Sequence, residues 1–230
     1  MDIHSSGRLI LWPWGFTSDL APNATQLQTL GRKLAFLNGH TPKQLYGLYP
    51  TDGTTISFAY GEMGLAAFIY ELGTEFFESC EYFENTIVRD NIPSLIYAIK
   101  AARLPYMAPA GPEAVDITLN FGSTLPGITS GAPVTLSARV DDGLFYANNG
   151  NEPVQTIVAA EYYIDVPPWD NPDLASAMRP SDGAFNSTAE NVEATIDTTG
   201  LSRGQHIIFV RGRDADGNWG VFSAIFLYKG

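Results

Sequence analysis

Cysteine is almost absent. Cys80 is the single one in 230 residues, so no intrachain disulfide and no cysteine-built zinc cluster can form. Cysteine usage therefore leaves the compartment open. Basic residues are scarce as well, 13 Lys and Arg against 25 Asp and Glu. The net charge of -12 argues against nucleic acid or an anionic membrane as partner. Histidine is limited to His4, His40 and His206, and the last two have Lys43 and Phe209 three residues on, where a His-x-x-Glu pair would place an acid. No apolar run approaches the roughly 18–20 residues of a membrane span, and Leu9–Trp12 is cut short by Pro13. There is no internal repeat and no low-complexity tract. No signal peptide is visible: Asp2-Ile3-His4 follows Met1 at once, so the chain opens in what reads as the middle of something.

What is present supports a packed protein. Apolar residues make up 45% and charged residues 17%, which excludes whole-chain disorder, and 25 kDa allows one large domain or two ordinary ones. The two halves follow different patterns. In residues 1–106, Leu9–Trp12 has the length of a buried strand, and Leu65–Tyr70 fits a central strand of a covered sheet. Asn23 can cap a helix carrying Leu27, Leu30, Leu34 and Leu37, with Asn38-Gly39 as its stop. Asn91 and Pro93 open a second helix with Leu95, Ile96, Ile99 and Ala102 on one face. Strands between helices point to an α/β layer arrangement. Residues 107–112 carry two prolines and a glycine and read as a linker. From 113 to 230 the helical period vanishes. Val115–Phe121, Val134–Val140, Ile157–Asp165, His206–Arg213 and Val221–Leu227 read as short strands of an immunoglobulin- or fibronectin-like β-sandwich. Acidity follows the same seam: residues 1–109 carry a net charge of -3 and residues 110–230 carry -9.

Taken singly, the chemical candidates are ambiguous. His40 follows a helix stop and reads as an exposed loop residue or a charge partner for the helix end. Glu71 ends an apolar strand, where a carboxylate can face a crevice or serve in a structural salt bridge, and both readings stand. Tyr49 precedes a mobile-looking Pro50-Thr51-Asp52-Gly53-Thr54-Thr55 loop, yet by itself reads as a packing residue.

Four segments together say more. His4-Ser5 before the strand Leu9–Trp12 and the Trp12-Pro13-Trp14-Gly15 run, Leu48–Gly53, Phe68–Leu72, and Tyr82–Asn85 through Asn91–Tyr97 agree in order and spacing with one family. Residues 2–106 resemble the C-terminal part of the zinc carboxypeptidases of the carboxypeptidase A and T type. The resemblance implies one catalytic Zn2+ in the full-length parent, with His4 as its third protein ligand. It implies Glu71 as the general base, Tyr49 as a mobile lid over the substrate, Ser5 and Ser6 along the approach, and Ile56 and Ile69 at the base of the specificity pocket. With no acid at Thr54, Thr55 or Ile56, that pocket should favour apolar or aromatic C-terminal residues. Ser6, Gly7, Phe58 and Tyr70 depart from the common family residues, which affects pocket shape. The family's first two zinc ligands, a His-x-x-Glu pair, have no place before His4. The expectation is an α/β partial mixed sheet, an incomplete zinc carboxypeptidase domain, acting on peptide or protein C-termini outside the cell and inactive by itself. Loss of its leading strands should expose the apolar edge of the Leu9 and Leu65 strands.

The β half supports a rival expectation, a secreted non-catalytic binding or adhesion protein with a cell-surface or polysaccharide ligand. Tyr146, Tyr162, Tyr163, Trp169 and Trp219 are its candidate contacts. Adjacent on one strand, Tyr162 and Tyr163 should point one to the core and one outward. Asp214-Ala215-Asp216-Gly217-Asn218 reads as a hairpin turn, since Ile225 stands where a calcium loop needs Glu; weak calcium binding at Asp141-Asp142 is the remaining metal reading there.

Overall fold

Leu9–Trp12 forms a strand as its apolar run requires, and it organises everything in the first 110 residues. The computed structural model describes residues 1–129, 131–145 and 150–230. It divides the chain into two units, Met1–Ala110 with Leu144–Pro153, and Gly111–Gly143 with Val154–Gly230. Tyr146 lies outside the described residues.

In the first unit, β1 (Asp2–Ser5), β2 (Leu9–Trp12), β3 (Thr41–Gln44) and β4 (Ile69–Leu72) make a four-stranded sheet in the order β1-β4-β2-β3. The sheet is mixed: β1 and β4 are parallel, β2 and β3 are parallel, and β2 and β4 are antiparallel. The edge strands are therefore β1 and β3, not the Leu9 strand, and β3 can accommodate Pro42 because it is an edge. Strand β4 begins at Ile69 rather than Leu65, which is exposed.

Helix α1 (Ala24–Asn38) ends where expected, on Gly39 at φ 68, the left-handed conformation that glycine adopts without strain. At the other end Asn23 makes no capping bond; its carboxamide oxygen instead accepts from the Tyr60 hydroxyl at 3.0 Å. Helix α2 spans Thr55–Gly61, capped by Thr54, whose hydroxyl accepts from the Ser57 amide. The last helical stretch begins at α3 (Cys80–Tyr82), passes through a π-helical turn at Phe83–Ile87 and continues as α4 (Val88–Ala101), with Pro93 inside it.

The buried face of α4 differs from the one its apolar spacing suggests. Asn91, Ser94, Tyr97 and Ala101 are buried, while Ile92, Ile96 and Ile99 are exposed. Hydrogen bonding decides this. Ser94 Oγ donates to the Leu34 carbonyl at 2.9 Å and lies 2.8 Å from the Tyr70 hydroxyl, and Asn38 Nδ2 donates to Asn91 Oδ1 at 2.9 Å. Burying these groups paired costs little, whereas turning them outward would break the link between α1, α4 and β4. Burial pushes the Tyr70 hydroxyl well above its ordinary range.

The second unit is all β, as its alternation implies. Seven antiparallel strands, β5 (Glu113–Leu119), β6 (Val134–Asp141), β7 (Ile157–Ile164), β8 (Ser176–Pro180), β9 (Ala189–Ile196), β10 (Gly204–Asp214) and β11 (Ser223–Lys229), run in the order β11-β10-β7-β8-β9-β6-β5. They form one continuous sheet. Strand β8 gives Ser176–Met178 to β7 and Arg179–Pro180 to β9. The two ends of the order meet where Ile128 N donates to the Tyr228 carbonyl at 2.8 Å, beside the Ile128–Lys229 bridge. Val134, Leu136, Ala138 and Val140 point into the core made by this curl. Tyr162 joins that core. Tyr163 faces the other way but is also buried, beneath Phe222. The hairpin between β10 and β11 turns at Asp214–Asn218, where the Asp214 carboxylate accepts from the amide of Asn218 at 2.8 Å. No helix among the described residues is long and apolar enough to cross a membrane.

Candidate functional site

Period-two geometry gives the mixed sheet two faces. Ile10 and Tyr70 point to the side covered by α1 and α4. The opposite face carries Asp2, His4, Ile69 and Glu71, because β1 and β4 pair in the register Asp2 with Ile69 and His4 with Glu71. Strands in register lie about 5 Å apart, so an imidazole and a carboxylate 67 positions apart in sequence become neighbours. On the far side of Glu71 stands Leu9 of β2.

Glu71 is 9% exposed. Burial pushes its carboxyl above the ordinary range, nearby Asp2 adds to the rise, and a positive charge on His4 works against it. Among the described residues its carboxylate accepts no hydrogen bond, so the salt-bridged structural reading has no partner to rest on. His4 is half exposed and places Nε2 3.1 Å from Asp2 Oδ2. At Asp2, burial acts upward, but hydrogen bonds with His4 and Thr55, together with the charges of His4 and the chain amino group, outweigh it and hold the carboxyl low. Asp2 was not singled out from sequence, although its place two residues before His4 on a strand puts it on the same face. Its bond to Thr55 brings the first turn of α2 beside β1.

The other candidates are distributed around this pair. Ile69 shares the face and is buried; Ile56, on the first turn of α2, is buried as well. Ser5 lies on the opposite face of β1, its Oγ donating to the Phe76 carbonyl at 3.3 Å, and Ser6 follows at the bend before β2. Tyr49 is 60% exposed on the loop between Leu48 and Thr54, and among the described residues it makes no hydrogen bond to His4 or Glu71. The structure thus brings His4, Glu71 and Ile69 together, with Tyr49 exposed on its loop.

His40, read as exposed, is instead buried at 2%. Burial first and the Arg8 guanidinium next depress the imidazole, against a hydrogen bond to the Leu9 backbone and the charge of Asp90, to about 4. It is a packing residue of the first unit.

A catalytic zinc site takes three protein ligands. Among the described residues no group of three or more His, Cys, Asp or Glu side chains is placed to hold a metal ion. His4 with Asp2 and Glu71 does not fit that requirement. The Asp141-Asp142 reading has no such group either.

No known family model matches the chain. Among curated proteins, the zinc carboxypeptidase of Saccharothrix mutabilis subsp. capreolus is 38% identical over 78 residues, covering 31% of this chain and 18% of that protein. Carboxypeptidase A1 of Rattus norvegicus is 33% identical over 79 residues, again 31% of this chain and 19% of its own length. The chain thus spans about a fifth of the length of the curated relatives it matches. Among solved structures, wild-type OgpA from Akkermansia muciniphila aligns with a TM-score of 0.33 at 19% identity, over 51% of this chain and 28% of that one.

Proposed function

We propose that residues 1–106 are part of a zinc-carboxypeptidase-type catalytic domain that works outside the cell on peptide and protein C-termini. The supporting observation is Glu71, a buried carboxylate with raised affinity for its proton and, among the described residues, no hydrogen-bond partner, set in register beside His4. A partly desolvated carboxylate beside an imidazole, with no hydrogen-bond donor holding it among the described residues, suits proton transfer better than support. The partial identity to named zinc carboxypeptidases points the same way.

In that reading His4 contributes one of the metal ligands, Glu71 takes and returns a proton during hydrolysis, and the exposed Tyr49 loop closes over the substrate. Ile56 and Ile69 bound the pocket for an apolar or aromatic terminal side chain, with Ser5 and Ser6 along the approach. The remaining ligands come from residues other than those described here, so the 230-residue chain by itself is expected to retain no stoichiometric zinc through dialysis and to release nothing from blocked dipeptides ending in Phe. Stoichiometric zinc together with hydrolysis by this chain would overturn its role as a partial site. Reading the coding sequence upstream of Met1 tests the family assignment separately. An in-frame His-x-x-Glu supports the catalytic reading, and a stop codon followed by a promoter and ribosome site supports a stand-alone, non-catalytic form.

One observation favours the second reading, a binding role for the β unit. Trp169 is 46% exposed and stands edge-on to Phe209 and Phe222, with ring centroids 6.1 and 5.8 Å away. Such a row offers a face for a sugar ring. The Arg211 guanidinium stacks on Trp219 at 4.2 Å and on Phe222 at 4.8 Å. Retention on polysaccharide gels that disappears in Trp169→Ala would favour this reading, and equal elution of both proteins would dismiss it.

A further inference from the structure

The first unit holds an open cleft of about 720 Å³ that none of His4, Glu71, Tyr49, Ile56 or Ile69 lines. Its lining is rich in aromatic rings, Trp14, Phe16 and Phe58, the last 61% exposed. Two carboxylates, Asp52 and Glu62, stand among its lining residues, and no Lys, Arg or His does. Among the described residues neither acid makes an ion pair; Asp52 accepts only from the neighbouring Gly53 amide, at 2.7 Å.

The aromatic walls are held in place. The Trp14 ring meets Tyr60 edge-on at 5.0 Å, and Tyr60 is itself fixed by its hydrogen bond to Asn23. Phe16 lies 5.2 Å from Trp14 on its other side. Gly61 packs so closely that a Cβ there would stand 3.1 Å from the Trp14 ring. From the back, Gln44 Nε2 donates to the carbonyls of Trp14 and Thr17 at 3.3 and 2.9 Å. A ligand therefore meets a Trp14 wall that is already fixed and does not have to order it first.

We propose that this cleft binds an organic monocation carried on an apolar stem, the chemistry of an arginine or lysine side chain. Aromatic faces present negative potential, which attracts a guanidinium or ammonium, while the rings bury the methylene stem. Asp52 and Glu62 add attraction of the same sign, and an anion would meet both carboxylates with no cation to receive it. Thr54 and Thr55 border both this cleft and the pocket of the carboxypeptidase reading, but the test is separate from that reading, because it involves neither His4, Glu71 nor hydrolysis.

The test follows the Trp14 indole N–H by NMR, identified through its loss in Trp14→Phe, while the intact chain is titrated with N-acetyl-arginine amide. N-acetyl-citrulline amide, nearly the same shape without the charge, is the comparison. The arginine probe is expected to give a saturable shift with an affinity about tenfold above the citrulline probe, weakened several-fold by added salt. Glu62→Gln should weaken it, and Phe58→Ala, at an exposed position, should remove most of it while leaving the rest of the spectrum in place. Butylguanidinium separates two sources of the cation: binding as tight as the arginine probe assigns a free cation, and weaker binding assigns a peptide-borne side chain. Equal affinity for the arginine and citrulline probes, no saturable shift with either cation, or binding unchanged in both Phe58→Ala and Glu62→Gln would overturn the proposal.

Discussion

Acid should loosen the first unit through His40. In the unfolded chain its imidazole takes a proton near pH 6.5, whereas in the folded unit burial and the Arg8 guanidinium depress that to about 4. The Asp90 charge and the Leu9 backbone bond oppose the depression without cancelling it. Among the described residues its buried Nδ1 has no partner, so protonation there gains no hydrogen bond to offset the charge. Between these two pH values the unfolded chain holds a proton that the folded one does not, so stability falls as pH drops below 6.5 and the loss levels off below about 4. At about 1.36 kcal/mol per pH unit the full loss is roughly 3 kcal/mol, of which about 2 is spent between pH 7.5 and 5. Two units in one chain complicate global unfolding, so the readout is local: hydrogen exchange of α1 and α4 amides by mass spectrometry. His40→Gln removes the titration, and the comparison is the difference between the pH 7.5 and pH 5 protection in each protein, which cancels any constant destabilisation by the substitution. Wild type should lose about 2 kcal/mol more protection than the variant over that range. Equal losses in the two proteins would refute the reasoning.

In the second unit the sign reverses at His206. Burial opposes its charge, but Nδ1 lies 2.6 Å from Asp165 Oδ2 and Nε2 lies 3.0 Å from the Ser202 carbonyl, and the net effect raises its proton affinity. It should stabilise this unit fully below pH 6.5 and lose that contribution as pH rises through its folded value; Asp165→Asn should move the His206 ring titration downward by NMR, and an unchanged midpoint would contradict the pairing. The buried Lys229 ammonium donates to the carbonyls of Thr198 at 2.9 Å and of Leu201. Lys229→Met strands those acceptors, with an expected loss of about 1–3 kcal/mol in the thermal unfolding of the second unit. Ser94→Ala removes the hydroxyl between Leu34 and Tyr70 and should cost the first unit a similar amount by hydrogen exchange, about 1–3 kcal/mol.

What the sequence made legible follows from how each residue reaches its burial. Val134, Leu136, Ala138 and Val140 alternate because one face of β6 meets the core and the other does not, so the period alone finds the strand. Strand β9 escaped because Glu190 occupies one of its buried positions, held by the amides of Asn186 and Ser187 at 2.7 Å each, a loop arrangement that no period records. The buried face of α4 was misread for the same reason: Asn91 and Ser94 go inward on hydrogen bonds to other elements, and Ile96 and Ile99 stay out. His40 was assigned to solvent because a residue after a helix stop is commonly exposed, yet the chain there turns directly into β3 beneath α1. The cleft between Trp14 and Phe58 was invisible because its aromatic walls lie on a loop and a helix 44 positions apart, with no shared pattern.

The candidate site itself was legible by motif and not by physics, and the buried acids show why. Burying a carboxylate demands compensation. Glu190 finds two backbone amides, and Asp214 finds the amide and carboxamide of Asn218 at 2.8 and 2.9 Å. Both are supports for a turn and could be replaced only by something that accepts the same donors. Glu71 is nearly as buried, yet among the described residues it has no donor, only a half-exposed imidazole beside it. A chain gains no stability from that arrangement, since replacing Glu71 with Gln would remove the desolvated charge and break no bond. The physical expectation is therefore that Glu71→Gln leaves the first unit as stable as before or more so, while Glu190→Leu, which removes the acceptor of two buried amides, weakens the second. Hydrogen exchange of β4 and β9 amides measures both, and a β4 that loosens in Glu71→Gln would mean that the carboxylate supports the fold after all.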